Sequence, residues 1–271
     1  MSKLQLRCPA KINLALSVGA PLPTGLHPIA SWMVALFLAD RLTLELSRSA
    51  ETFDIGFGDQ AVVSHKVDWP LEQDLAYRAY ELMCRHVSGV LPVKVTLRKS
   101  IPAAAGLGGG SSDAAAMLVG LNRLFELKLS NPTLYDLARQ LGSDVPFLVH
   151  AIDGQPSALV CGSGEQVESI PLPATIHLAL VFPKIRCSTT LVYRALDQVR
   201  REARVDQVVP DVRAVRALAA RTPLPSEGPF NDLAEPAKYV RPELELVWAQ
   251  LTESLAMPIH LTGSGSTLFA I

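Results

Sequence analysis

The chain has no excess of either charge. Its 271 residues carry 25 Lys and Arg against 26 Asp and Glu, a net charge of −1. Without a basic field nothing grips a phosphodiester backbone electrostatically, so nucleic acid is not an expected partner. Long apolar runs are missing as well. The longest clean one is Trp32–Ala39, far short of the roughly 20 residues a membrane-spanning helix needs. The opening MSKLQLRCPAKI lacks the apolar stretch of a signal peptide, and no membrane partner is expected. Cysteine is sparse: Cys8, Cys84, Cys161 and Cys187 are scattered and form no C-x-x-C pair. They read as reduced, mostly buried thiols of a cytoplasmic protein, not as a metal site. Internal repeats and low-complexity tails are also absent.

What is there is apolar. Hydrophobic residues make up 49% of the chain, which excludes disorder and supplies a large core, split over two domain-sized parts. Ile12, Leu14, Leu16 and Val18 alternate with Asn13, Ala15 and Ser17, the period of a half-buried strand. Ile29–Ala39, Arg41–Leu46, Phe53–Phe57, Val93–Leu97, Ala158–Cys161, His177–Phe182, Ile259–Thr262 and Thr267–Ile271 are further strand candidates. Helical spacing covers Leu71–Val87, Ser111 to about Phe125, Leu134–Leu141, Thr190–Val199, Val212–Ala220 and Pro242–Leu255. Strands and helices mix without strict alternation, so the fold class is α+β rather than a doubly wound sheet. The Asp153–Pro156 segment suggests a division near residue 151, into 1–151 and 152–271. Arg200, Arg201, Arg204, Arg213, Arg216 and Arg221 read as solvated helix charge, and Trp32 and Trp248 as packing residues.

The most unusual stretch is Ser100–Ala116, SIPAAAGLGGGSSDAAA. Gly106, Gly108, Gly109 and Gly110 let the backbone approach a ligand closely. The helix that follows offers unpaired N–H groups and a positive dipole end, so the pair makes an anion site suited to a di- or triphosphate. Ser111 and Ser112 stand where they can cap that helix and touch a phosphate or Mg²⁺, and Asp113 in its first turn favours the dipole. A Gly/Ser linker would not be flanked by apolar Ile101, Pro102, Ala103–Ala105 and Leu107. Walker A fails because Gly110 stands where its Lys is needed, and G-x-G-x-x-G fails at its last glycine. No G-x-S-x-G elbow is present.

Pro102 to Ala115, P-A-A-A-G-L-G-G-G-S-S-D-A-A, resembles the phosphate loop of the GHMP kinases. Pro9-Ala-Lys-Ile-Asn13 is similar to the family's N-terminal strand motif, and Leu261-Thr-Gly-Ser-Gly-Ser-Thr-Leu-Phe269 to its C-terminal glycine motif. L-G-S-D-V-P-F at 141–147 and F-N-D-L at 230–233 with Glu235-Pro236 point to the branch that phosphorylates the 2-hydroxyl of a cytidine-diphosphate-linked polyol in non-mevalonate isoprenoid synthesis. Another GHMP kinase, for homoserine, mevalonate or a sugar, and a non-catalytic nucleotide-binding relative are the alternatives. The resemblance implies an N-terminal ribosomal-S5-like α/β domain and a C-terminal ferredoxin-like domain. It implies ATP as phosphoryl donor, Mg²⁺ carried with it, and a monomer or weak homodimer. It also implies a helix and strand beyond the last motif, which the chain ending at Ile271 is expected to lack.

The resemblance further implies roles. Asp144 is the base that takes the acceptor proton; by its residues alone it is equally an N-cap ahead of Val145-Pro146. Lys11 pairs with Asp144 and stabilises the transferred phosphoryl; alone it reads as a solvated strand lysine. Pro102, Gly106, Leu107, Gly108, Gly109, Gly110, Ser111 and Ser112 bind the phosphates, with Ser111 or Ser112 as the protein's contact to Mg²⁺. Asn13 and His27 bind the acceptor, and Tyr193 flanks its base. Gly263 and Ser264 lie in a second tight turn, for which a plain hairpin turn is the alternative. Lys99, otherwise a surface lysine, lies near the nucleotide. Two positions depart from the pattern. Leu26 stands where the family has a tyrosine stacked on the cytosine, a contact worth roughly 1–3 kcal/mol. Asp74 stands where it has an asparagine near the adenine, and a carboxylate cannot donate.

Overall fold

In a computed structural model residues 2–59, 61, 62, 67–172, 175–205 and 208–271 are described. They hold ten strands and eight helices, an α+β fold as expected. Contacts divide the chain into two units that interleave in sequence: Met1–Lys11, Ala35–Ala103 and Gly108–Pro156 form the first, and Ile12–Val34, Ala104–Leu107 and Ser157–Ile271 the second.

The first unit is a sheet with helices on it. It contains the start of β1 (Lys3–Val18), the end of β2 (Ile29–Leu46), β3 (Thr52–Phe57), α1 (Leu75–His86), β4 (Val93–Lys99), α2 (Gly109–Leu124), α3 (Asn131–Ala138) and α4 (Val145–Ile152). The strand order is β3-β4-β2-β1. β2 and β4 run antiparallel with Leu42 opposite Leu97 and Leu44 opposite Val95, so the alternating apolar residues of both strands share one core face. The small residues of α2 bring it close to that face. A Cβ on Gly120 would come within 2.6 Å of Leu44 Cδ1, and Ala114, Ala115 and Ala116 are fully buried. α1 and α4 pack against α2.

The second unit contains the rest of β1 and β2, then β5 (Ser157–Gly162), β6 (Gln166–Ser169), β7 (Ala179–Val181), α5 (Thr189–Glu202), α6 (Val212–Ala219), β8 (Phe230–Asn231), α7 (Ala234–Val240), α8 (Pro242–Leu255), β9 (His260–Leu261) and β10 (Leu268–Ala270). One sheet runs β6-β5-β2-β1-β8 and a second, antiparallel, runs β7-β10-β9. Leu16, Val192, Leu233, Leu244, Ile259 and Leu268 belong to its core. No helix among the described residues is long and apolar enough to cross a membrane.

Several local expectations are corrected. β1 is not half-buried: every residue from Ala10 to Val18 is buried, because the polar members of the alternation find partners. Ser17 donates to Asp232, and Asn13 is bonded on both its backbone and its side chain. Ile29–Ala39 and Arg41–Leu46 are one strand, β2, running through Asp40. Leu71–Val87 is not a single helix: Leu71–Gln73 form a 3-10 turn and α1 starts afresh at Leu75, with Asp74 as its N-cap accepting from Ala76 N at 2.9 Å. Val145–Ile152, predicted as neither strand nor helix from the sequence, form the helix α4, with proline in its first turn. α7 is seven residues long with Pro236 inside it, too short for a periodic signal. Arg200 is not solvated helix charge; its guanidinium donates to Val18 O and Gly19 O and pairs with Asp232 at 3.5 Å. Trp32 is fully buried, its indole N–H donating to Ser157 at 2.9 Å. The four cysteines are free, Cys8 buried and the others partly so.

Candidate active site

In the first unit the glycine segment opens α2. Gly108 is the N-cap, with φ +70°, a left-handed conformation suited to glycine. The helix begins at Gly109, two residues before Ser111, and no side chain caps it. Capping by Ser111 or Ser112 is therefore corrected: the glycine turn starts the helix early and puts both serines inside its first turns. The first amides of a helix have no intrahelical acceptor, so this end is open to an anion. Ser112 is fully buried and its Oγ has no hydrogen-bond partner among the described residues. A buried hydroxyl left without a partner fits a site meant for a phosphate or its metal. A Cβ on Gly108 would fall 2.9 Å from Lys11 Cγ, so glycine is what lets the backbone and Lys11 lie together.

Lys11, only 4% exposed, sends its ammonium to Asp144 Oδ2 at 3.3 Å. Asp144 precedes α4 but makes no capping hydrogen bond. Its backbone stands at the N-cap position of α4, and its carboxylate faces Lys11 rather than the helix amides. A charge-assisted contact between a buried cation and a half-exposed carboxylate leaves carboxylate oxygen available to a ligand.

Lys99 is buried between Asp40, at 3.0 Å, and Asp113. Asp113 is thus not a dipole partner in the first turn of α2 but the fifth residue of the helix, 1% exposed. Burial pushes its carboxyl up to about 8 against the opposing pull of Lys99, with Asp40 adding to the rise. Burial acts to lower the ammonium of Lys99, but the charges of Asp113 and Asp40 outweigh it and hold the group above the usual lysine range. Burial, with Asp113 and Asp40 nearby, also raises the Cys8 thiol well above its ordinary value. Asp74 is buried; besides capping α1 it accepts from Trp69 Nε1 at 2.9 Å. Asp40 and Trp69 carry no motif. The one sequence signal was the carboxylate of Asp40 inside an apolar strand.

In the second unit the two glycine motifs meet. A Cβ on Gly106 (φ +79°) would fall 2.9 Å from Gly265 O and 3.1 Å from Thr262 O, and Ala105 O accepts from Thr267 Oγ1 at 2.6 Å. Gly263 and Ser264 lie in the turn after β9, where Gly265 N donates to Thr262 O. Ser264 Oγ is 2.8 Å from Thr189 Oγ1, and Asn231 Nδ2 donates to Gly263 O at 2.8 Å. Asn13 donates through Nδ2 to Ser31 Oγ at 2.8 Å and through its backbone N–H to Thr262 Oγ1 at 2.9 Å. It borders a cavity of about 180 Å³ whose walls include Asn231, Trp248, His260 and Phe269. His27 Nε2 is 2.8 Å from Asp197 Oδ1, and its ring centroid is 4.9 Å from that of Tyr193, tilted by 47°. The expected His27 and Tyr193 are therefore neighbours, while Leu26 beside them is 52% exposed. Leu107 is buried in this unit, and Pro102 is buried in the first.

Residues 74–159 match the family of GHMP kinase N-terminal domains. The chain is 35% identical over 268 residues to the 4-diphosphocytidyl-2-C-methyl-D-erythritol kinase of Mycolicibacterium smegmatis, covering 97% of this chain and 79% of that one. It is 36% identical over 269 residues to the enzyme of the same name from Bacillus pumilus, covering 98% and 86%. A crystal structure of a 4-(cytidine 5'-diphospho)-2C-methyl-D-erythritol kinase superposes with a TM-score of 0.75 at 33% identity, over 99% of this chain and 90% of the other.

Proposed function

Since the chain belongs to the 4-diphosphocytidyl-2-C-methyl-D-erythritol kinases, within the GHMP kinases, we infer that it transfers the γ-phosphoryl of ATP to the 2-hydroxyl of 4-diphosphocytidyl-2-C-methyl-D-erythritol. The observation that carries the reading is the Lys11–Asp144 pair lying against the glycine turn at Gly108. Phosphoryl transfer asks mainly for positioning and charge stabilisation. In this reading Gly106, Leu107, Gly108, Gly109, Gly110, Ser111 and Ser112 hold the phosphates, with Pro102 supporting the loop. The amides that open α2 stabilise phosphate charge, and the Ser112 hydroxyl, without a partner among the described residues, is one protein contact for a phosphate or Mg²⁺. Mg²⁺ bound with ATP supplies further neutralisation of that charge.

Asp144 accepts the proton of the acceptor hydroxyl. Lys11 holds the Asp144 carboxylate in place and stabilises negative charge on the transferred group. Asn13, Gly263 and Ser264 position the polyol diphosphate, while His27 and Tyr193 receive the cytosine. Asp74 sets the start of α1 beside the adenine. Lys99 acts on the nucleotide through the loop it holds, because its ammonium is already occupied by two carboxylates. The enzyme would work in the cytoplasm, as a monomer or weak homodimer.

Replacing Asp144 with Asn removes the base and keeps the shape. Turnover measured by ADP release should fall by roughly 100- to 10,000-fold while calorimetry shows ATP binding retained. Turnover at the wild-type level would remove Asp144 from the mechanism.

A further inference from the structure

Three buried ionisable side chains flank the glycine loop without being placed at the reacting atoms. Asp40 on β2, Lys99 at the end of β4 and Asp113 on α2 are at most 4% exposed. Asp40 Oδ1 accepts from the amides of Ser100 and Ile101, the latter at 2.7 Å. Its Oδ2 accepts from Lys99 Nζ at 3.0 Å, and the same ammonium donates to Asp113 Oδ2. The chain leaves β4 at Lys99, starts the loop at Ser100–Ile101 and returns as α2. One lysine thus ties the strand before the loop to the helix after it, and one carboxylate fixes the two amides with which the loop begins.

Ile101 links the two flanks a second time. A Cβ on Gly109, the first residue of α2, would meet Ile101 Cγ2 at 3.0 Å, so the opening turn of the helix rests on a residue whose amide Asp40 holds. Fold stability alone is a weak reason for this arrangement. Burying an ion costs several kcal/mol, and a buried ion pair often stabilises no better than well-packed apolar residues of similar volume. What ions with fixed hydrogen bonds add is direction: they determine where a backbone points. A loop that meets a triphosphate through its amides depends on that, because donors already aimed cost no reorganisation on binding.

We propose that Asp40, Lys99 and Asp113 are positioning residues for ATP, fixing both flanks of the glycine loop so that the first amides of α2 are set for phosphate before the nucleotide arrives. The proposal rests on the reading that this loop binds the phosphates of ATP.

The test is calorimetric binding of a non-hydrolysable ATP analogue to Asp40→Asn and Asp113→Asn, together with KM for each substrate. Both variants keep the side-chain shape and turn one of the two carboxyl groups that accept from Lys99 into a neutral amide. The Kd of the analogue and KM for ATP should rise roughly 10- to 100-fold while KM for the acceptor stays within about twofold, and amide exchange at residues 108–112 should speed up. A network that serves only the fold would lower the melting temperature and leave the Kd of the folded protein unchanged, and that result overturns the proposal. If Asp40→Asn does not fold, Asp113→Asn decides alone. Loss of acceptor phosphorylation in the wild-type protein, with analogue binding intact, would count against the reaction and leave the positioning test standing.

Discussion

Around α2 the polar groups that matter are ions: Lys11 against Asp144, and Lys99 between Asp40 and Asp113. In the other unit the buried polar groups are mostly neutral. Asn13 is bonded to Ser31 and Thr262, Asn231 to the carbonyls of Leu261 and Gly263, and Thr267 to that of Ala105; the exceptions are the Arg200–Asp232 pair and the contact of His27 with Asp197. In the proposed reading the difference follows two tasks. Moving a phosphoryl group requires fixed charge where charge develops. Choosing an acceptor with a neutral base requires donors and acceptors of the right kind, because a mismatch leaves a buried polar group unpaired. Each unit should therefore fail in its own way when altered.

The largest effect should come from the ionic side. Lys11→Met should lower kcat roughly 100- to 1000-fold, about 3–4 kcal/mol, in steady-state assays, with KM for the acceptor little changed. An unaltered kcat would mean that charge beside the loop does not carry the chemistry. Gly108→Ala comes next. It forces a Cβ onto a backbone with φ +70° and within 2.9 Å of Lys11 Cγ. It should cost about 2–3 kcal/mol in kcat/KM for ATP, from the left-handed conformation and the overpacking together; initial rates at varied ATP measure it. The smallest effect belongs to the neutral side. Leu26→Tyr adds a ring beside His27 and should lower KM for the acceptor by about 1 kcal/mol, at the low end of a base-stacking contact because the position is exposed. Improvement in KM for ATP instead would erase the division of labour.

Much of this arrangement is legible in one sequence because its parts are local. A glycine cluster followed by an Ala-rich run announces a loop and a helix, and alternation announces β4 and the Arg41–Leu46 part of β2. What is hidden is what pairs at a distance. Asp40 and Lys99 are 59 residues apart, and nothing in the sequence says that the carboxylate interrupting an apolar strand is neutralised from another strand. Asp40 consequently reads as a break, when β2 runs through it. The same blindness makes Lys99 look like a surface or nucleotide-contacting lysine. Ser111 and Ser112 have ideal capping chemistry, but Gly108 reaches the left-handed conformation that starts the helix before them. Buried alternation misleads too: Asn13 and Ser17 mark a solvent face in β1 only until Ser31, Thr262 and Asp232 are known to face them.

The central claim is that this chain phosphorylates the 2-hydroxyl of 4-diphosphocytidyl-2-C-methyl-D-erythritol. Phosphorus NMR of that compound incubated with ATP, Mg²⁺ and the wild-type protein tests it most directly. A new phosphomonoester signal coupled to the polyol, growing in step with ADP, is the predicted result. No ester on this acceptor, or faster phosphorylation of homoserine or mevalonate under the same conditions, would contradict it.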